Sequence, residues 1–167
     1  MVTRILVLPG DGIGPEVMTS ALDVLDAVAR SKNLHLDITE DVLHGAAWNK
    51  YRTFCRPETI TNAKQSDAVL VGAVGGPEWD LITFEGGPTE QDGLMKLRME
   101  LDVFVGLRPA KAWDCLISKT PYRPHLVRGA NIMVMREMCG GSFFTTHRGI
   151  EDSVSYTHLT LPTNREV

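Results

Sequence analysis

The stretch Arg4-Ile-Leu-Val-Leu-Pro-Gly-Asp-Gly-Ile-Gly-Pro-Glu-Val17 decides the fold class. Arg4–Leu8 is a short run of β-prone apolar residues, stopped by Pro9-Gly10. A glycine-rich turn, Gly10–Gly14, follows. Pro15-Glu16 then opens a helix, because proline is pre-set for the first turn and an acid suits the helix's positive end. Val17, Ala21, Val24, Leu25 and Val28 give that helix an apolar face as far as about Ala29. Working outward, Leu34–Thr39 alternates as a half-buried strand does, Pro57–Lys64 reads as a short helix, and Ala68–Gly72 as a buried strand. This β-α-β-α-β order predicts an α/β fold with a mainly parallel sheet flanked by helices.

Beyond it, Gly75 to about Gln91 is long, irregular and rich in Gly and Pro, a length associated with function or mobility. Gly93–Leu101 returns to helical spacing, with Leu94, Leu97 and Leu101 on one face. Leu101–Leu107 reads as a strand stopped by Arg108-Pro109, and Asn131–Met135 as a buried strand ending in Arg136-Glu137. Residues 1–152 are expected to form one N-terminal portion of a domain. Ser153–Val167 has no convincing partner element and resembles the translation of a sequencing-library adapter; a non-native tail and an unstructured terminus are both open.

The chain has 167 residues, 43% hydrophobic and 23% charged, enough for one domain with a sizeable core. Seventeen basic and 21 acidic residues leave a net charge of −4, which argues against a nucleic-acid footprint. No apolar run approaches a membrane span. Cys55, Cys115 and Cys139 are odd in number and lack C-x-x-C spacing, which argues against a disulfide framework and a thiolate zinc site. A cytoplasmic protein with reduced thiols is expected. His35, His44, His125, His147 and His158 show no ligand spacing, and no metal ligand is assigned to the chain.

Gly10-x-Gly12-x-Gly14 between strand and helix invites a dinucleotide site built on helix N-terminal amides. The third glycine comes one residue early, Pro15 removes a donor, and Glu16 would repel a phosphate. A tight strand-to-helix turn with unusual backbone angles is the competing account.

The motif Leu8–Val17 resembles the isopropylmalate/isocitrate dehydrogenase family, the β-decarboxylating dehydrogenases of 2-hydroxy acids. Three further blocks agree in order: Gly72–Asp80, Leu97-Arg98 through Leu107-Arg108-Pro109, and Met135-Arg136-Glu137 with Gly140-Gly141. The resemblance covers about residues 4–151, and four blocks in order are specific. It implies an NAD-dependent oxidation of a 2-hydroxy dicarboxylate, loss of CO2 aided by Mg2+ or Mn2+, a homodimer, and a nucleotide site that is not of the Rossmann type. Family substrate arginines map onto Arg98, Arg108 and Arg136, and guanidinium grips carboxylates bidentately. Leu94 lies in the segment that reads the third malate substituent; an apolar side chain there favours isopropyl over the third carboxylate of isocitrate. Gly75, Gly76, Pro77 and Gln91 map onto the loop near the nicotinamide, where Gln91 replaces a common Glu.

Phe143 stands where the family usually has a proton-donating Tyr, and it cannot give a proton. The catalytic Lys and the metal-binding Asp cluster of the family would follow the end of this chain, so the fold is expected to be incomplete and the 167-residue chain aggregation-prone and inactive alone. A sibling acting on isocitrate, homoisocitrate, tartrate or D-malate, a non-catalytic anion-binding module and a plain Rossmann-type module are the competing possibilities.

Overall fold

The computed structural model describes residues 2–82 and 92–138, which fall into two compact units dividing after Asp102. In the first, β1 (Val2–Gly10) lies between β2 (His35–Glu40) and β3 (Ala68–Ala73), parallel to both, in the order β2-β1-β3. Helices α1 (Gly14–Lys32), α2 (Gly45–Tyr51), α3 (Pro57–Gln65) and α4 (Gly93–Glu100) connect and follow the strands. The predicted α/β class with a parallel sheet flanked by helices is what the chain adopts.

The central strand explains itself by side-chain alternation. Leu6 and Leu8 point into a cluster with Leu43, Cys55, Ala63 and Leu97, while Ile5 and Val7 meet Met18 in a second cluster on the opposite side. Both faces of β1 are therefore covered, which is why Ile5–Leu8 is an unbroken apolar run rather than an alternating one. Each such side chain contributes on the order of 1.5–3 kcal/mol by burial.

The apolar face assigned to α1 needs correcting. Met18, Ala21, Leu22, Leu25 and Ala29 turn inward, whereas Val17, Val24 and Val28 are exposed. The cause lies at the helix start: Gly14 rests so closely on the Pro9 and Ala73 carbonyls that a Cβ there would collide with Pro9. Residue 14 thus faces the sheet, and positions 18, 22, 25 and 29 follow it at helical spacing.

Asp41, just beyond β2, ties that strand to the start of α3. Its Oδ1 accepts from Arg56 Nη2 at 2.5 Å and its Oδ2 from the Thr59 hydroxyl at 2.7 Å, while the Val42 amide donates to Oδ1 at 2.8 Å. Burial alone pushes the Asp41 carboxyl up, but the Thr59 and Val42 donors and the Arg56 charge outweigh it and hold the carboxyl below its ordinary 3.8. Arg56 also lies with its guanidinium 4.1 Å from the Tyr51 ring centre.

In the second unit, β4 (Val105–Lys111) pairs antiparallel with β5 (Asn131–Glu137), joined through a 3-10 turn (Asp114–Lys119) and a short helix, α5 (Pro124–Val127). The strand expected over Leu101–Leu107 instead begins at Val105 and runs on through Arg108-Pro109. The ladder shows why proline does not stop it. At the two ends of the ribbon, Met138 N donates to Phe104 O at 2.8 Å and Ala112 N to Ala130 O at 2.9 Å. Alternation from those ends makes Arg108·Val134 and Ala110·Ile132 bonded pairs and Pro109·Met133 a non-bonded pair. The missing N–H of Pro109 therefore faces away from β5. No helix among the described residues is long and apolar enough to cross a membrane.

Candidate functional site

The Gly10–Gly14 turn is a structural joint. Gly10 adopts φ +81°, and a Cβ there would collide with the Ala73 carbonyl of β3. The Asp11 amide donates to Ala73 O at 2.6 Å and the Gly14 amide to Asp11 O at 2.8 Å. The amides at 11 and 14 that a pyrophosphate would need are spent within the fold, so the tight-turn account holds.

Asp11, in the middle of that turn, is 5% exposed. Its Oδ2 accepts from His44 Nδ1 at 3.0 Å, from the Gly45 amide at 3.0 Å and from the Gly75 amide at 2.9 Å. Its Oδ1 accepts from the Ala46 amide at 2.6 Å. One carboxylate thus satisfies the first amides of α2 and fixes the start of the glycine loop after β3. Because burial keeps water away from it, such a carboxylate is tolerable only when donors surround it in this way.

His44 sits behind Asp11 in an uncommon backbone conformation, φ +56° and ψ −125°. Its amide donates to Phe54 O at 2.7 Å, and its ring stacks on Phe54 with centres 4.8 Å apart. The Trp79 ring meets His44 edge-on at 6.0 Å, and a Cβ added to Gly45 or Gly76 would run into that indole. Gly75 itself has φ +104°, and among the described residues a Cβ there would meet nothing within 4 Å. Its glycine is required by backbone angle, and no described residue covers its outer side, which suits close approach of a flat ligand.

Leu94 and Arg98 lie on α4. Asp92 caps that helix, accepting from the Leu94 amide at 2.8 Å and the Met95 amide at 3.1 Å. Gly93 seats the helix start against Phe54 O and the His44 amide, too tightly for a Cβ. Leu94 is half-buried against the Leu6–Leu97 cluster, and Arg98, one turn later, is half-buried too.

Arg108 and Arg136 are exposed on the β4–β5 ribbon. Gly106 pairs with Arg136 and Arg108 with Val134, so the two arginines are diagonal neighbours on one face. Diagonal positions lie roughly 7–8 Å apart, within reach of one small dicarboxylate for side chains this long. Among the described residues neither guanidinium has an ion-pair partner. Of the other site positions named from sequence, Gly75, Gly76 and Pro77 lie in the loop that Asp11 anchors, while Gln91 and Phe143 lie outside the described residues. Among the described residues no three His, Cys, Asp or Glu side chains cluster as metal ligands.

Sequence reasoning missed Asp11 and His44. The signal was an acid inside a glycine turn with no basic residue nearby to pair with, but its partners lie 33 to 64 residues away.

Comparison with known proteins agrees with this architecture. The family model described as isocitrate/isopropylmalate dehydrogenase matches residues 4–165. The 3-isopropylmalate dehydrogenase of Pseudomonas syringae pv. syringae is 41% identical over 165 residues, 97% of this chain and 45% of the relative. That of Aquifex aeolicus is 42% identical over 147 residues, 88% of this chain and 40% of the relative. Among solved structures, the β-decarboxylating dehydrogenase of Thermococcus kodakarensis in its apo form superposes with a TM-score of 0.57 at 29% identity, covering 81% of this chain and 33% of that one. The isocitrate dehydrogenase of Methylococcus capsulatus, at 21% identity, shares the fold with a TM-score of 0.63 over 84% of this chain and 36% of that one. The chain spans less than half the length of the curated relatives it matches. With a family match over nearly its whole length, the chain belongs to the isocitrate/isopropylmalate dehydrogenase family.

Proposed function

We propose that the whole protein containing this chain oxidises and decarboxylates a 2-hydroxy dicarboxylate with NAD, and that its substrate is 3-isopropylmalate. The observation that carries the reading is the Arg108–Arg136 pair on one ribbon face. Both guanidiniums are permanently charged, both are without an ion-pair partner among the described residues, and each offers a planar fork to a carboxylate. They would hold the two carboxylates of the substrate and orient the hydroxyl-bearing carbon between them; Arg98 is proposed as a substrate-binding cation from the family resemblance alone.

Leu94 supports the choice of a branched alkyl substituent. Packed on Leu97 and its cluster, it presents hydrocarbon, and an ionised third carboxylate placed there would lose hydration without gaining a partner. The open side of Gly75, with Gly76 and Pro77, fits the flat nicotinamide end of NAD. NAD, when bound, supplies the acceptor for the hydride leaving the substrate carbon. The described residues do not fit Mg2+ or Mn2+, because no three His, Cys, Asp or Glu side chains among them cluster. For the same reason the 167-residue chain on its own is proposed to be inactive.

Phe143 favours a second reading, a sibling enzyme acting on isocitrate, homoisocitrate, tartrate or D-malate, because the decarboxylation half lacks the usual phenolic proton donor. Homodimer formation and a cytoplasmic location belong to the same proposal. The test is NADH formation by the whole protein across a panel of these hydroxy acids. A kcat/KM at least tenfold higher for 3-isopropylmalate than for any other supports the first reading, and preference for another member of the panel replaces it with the second.

A further inference from the structure

We infer that Asp11 is a positioning residue for the cofactor loop: through the Gly75 amide it sets the backbone of Gly75-Gly76-Pro77 against the first turn of α2. This rests on the reading of that loop as the one facing NAD.

Three observations lead to it. First, the Asp11 carboxylate is almost fully buried yet, among the described residues, has no lysine or arginine beside it; its four donors there are the His44 ring and the Gly45, Ala46 and Gly75 amides. A carboxylate so placed does more than pair with one side chain. It is holding three separate chain segments at fixed spacing. Second, among the described residues Gly75 is held from one side. Its amide points at Asp11 Oδ2 at 2.9 Å, and no described atom lies within 4 Å of the position a Cβ would take. The loop is anchored from within and open outward, which is how a backbone surface meant for a ligand differs from one packed in a core. Third, the same device holds the loop's far end. His44, bonded to Asp11, meets Trp79 edge-on, and the indole rests where side chains at Gly45 and Gly76 would be. Displacing the carboxylate would free the His44 ring and the Gly75 amide together.

Asp11→Asn is the informative change. One carboxylate oxygen becomes an NH2 that can only donate, facing amides that also only donate. In the whole protein, the expected result is a KM for NAD raised about tenfold, the scale of one lost charge-assisted hydrogen bond, with the KM for the hydroxy acid within about twofold of wild type. Hydrogen exchange should show the Gly75 amide opening about tenfold faster while the amides of Ile5–Leu8 are unchanged. A parallel rise in both KM values, or an unchanged Gly75 amide, overturns the inference. If D11N does not fold, the wild type decides. A Gly75 amide protected like those of Gly45 and Ala46, and further slowed by saturating NAD alone, supports it; one exchanging at the free-peptide rate overturns it. A wild type that turns over no hydroxy acid overturns the dehydrogenase reading and the cofactor role with it, whereas failure confined to the variant overturns the role of Asp11 alone.

Discussion

Arg56 Nη2 lies 2.5 Å from Asp41 Oδ1, joining the end of β2 to the first turn of α3 with side chains only 19% and 10% exposed. Arg56 Nε is itself buried and without a hydrogen-bond partner, so Asp41 is the principal compensation for this charge. Asp41→Asn should destabilise the whole protein by about 2–4 kcal/mol, since it strands a largely buried guanidinium and weakens the bond to Thr59. The sign of the pH effect follows from the lowered carboxyl. The stabilisation is complete above about 3.8 and is lost as pH falls through the lower native value. Urea midpoints between pH 7 and pH 3 should therefore fall more steeply for wild type than for D41N at the acid end; parallel curves would count against the assignment.

Arg108 and Arg136 share one face and one proposed task, so their losses should be similar and specific. Replacing either by Ala should lower kcat/KM for the hydroxy acid roughly 10–150-fold, equivalent to about 1.5–3 kcal/mol for a charged hydrogen-bonded contact, with the KM for NAD little changed. Lys should not rescue, because a point charge cannot reproduce the fork. Steady-state kinetics with each substrate varied in turn separates these outcomes. Full activity in R108K would sink the bidentate assignment.

The ladder register makes an asymmetric claim about two adjacent residues. Pro109 occupies a non-bonded position, so Pro109→Val should change stability by less than about 1 kcal/mol. Ala110 is in a bonded pair with Ile132, and Ala110→Pro removes an inter-strand bond as well as clashing, a loss of more than about 1 kcal/mol. Chemical denaturation of the two variants is enough; equal effects would mean the register is wrong.

Gly45 and Trp79 are sterically coupled. Gly45→Ala drives a methyl against the indole and should cost roughly 1–2 kcal/mol in the wild-type background. In a Trp79→Ala background the same change should cost close to nothing, because the clash has no second party. A double-mutant cycle measures the coupling directly, and additivity would show that Trp79 yields without effect.

Local signals made much of this molecule legible. The apolar run Ile5–Leu8, Pro57 at a helix start and the spacing of Leu94, Leu97 and Leu101 each carry their information within a few residues, and those elements lie where sequence places them. Errors arose where two local patterns competed or where the decisive contact was distant. Helix α1 has two apolar stripes, and only the seating of Gly14 on the Pro9 and Ala73 carbonyls chooses between them. Proline at 109 reads as a strand breaker until the pairing phase with β5 is known. The resemblance proposes the arginines as substrate groups, but that Arg108 and Arg136 share a face is a property of register. Asp11 looked like part of a phosphate-binding turn because its partners belong to other loops.

Helix α2 carries the consequence of that last point into the order of folding. It is seven residues long, begins without a side-chain cap of its own, and would scarcely populate as a free peptide. The oxygens that complete its first turn belong to a residue 34 and 35 positions earlier, and the same carboxylate waits for Gly75 beyond β3. This helix is thus a product of the assembled sheet rather than a seed for it. Trp48, at its centre, would report the closing of long loops, and should become native only after β1 has found both neighbours.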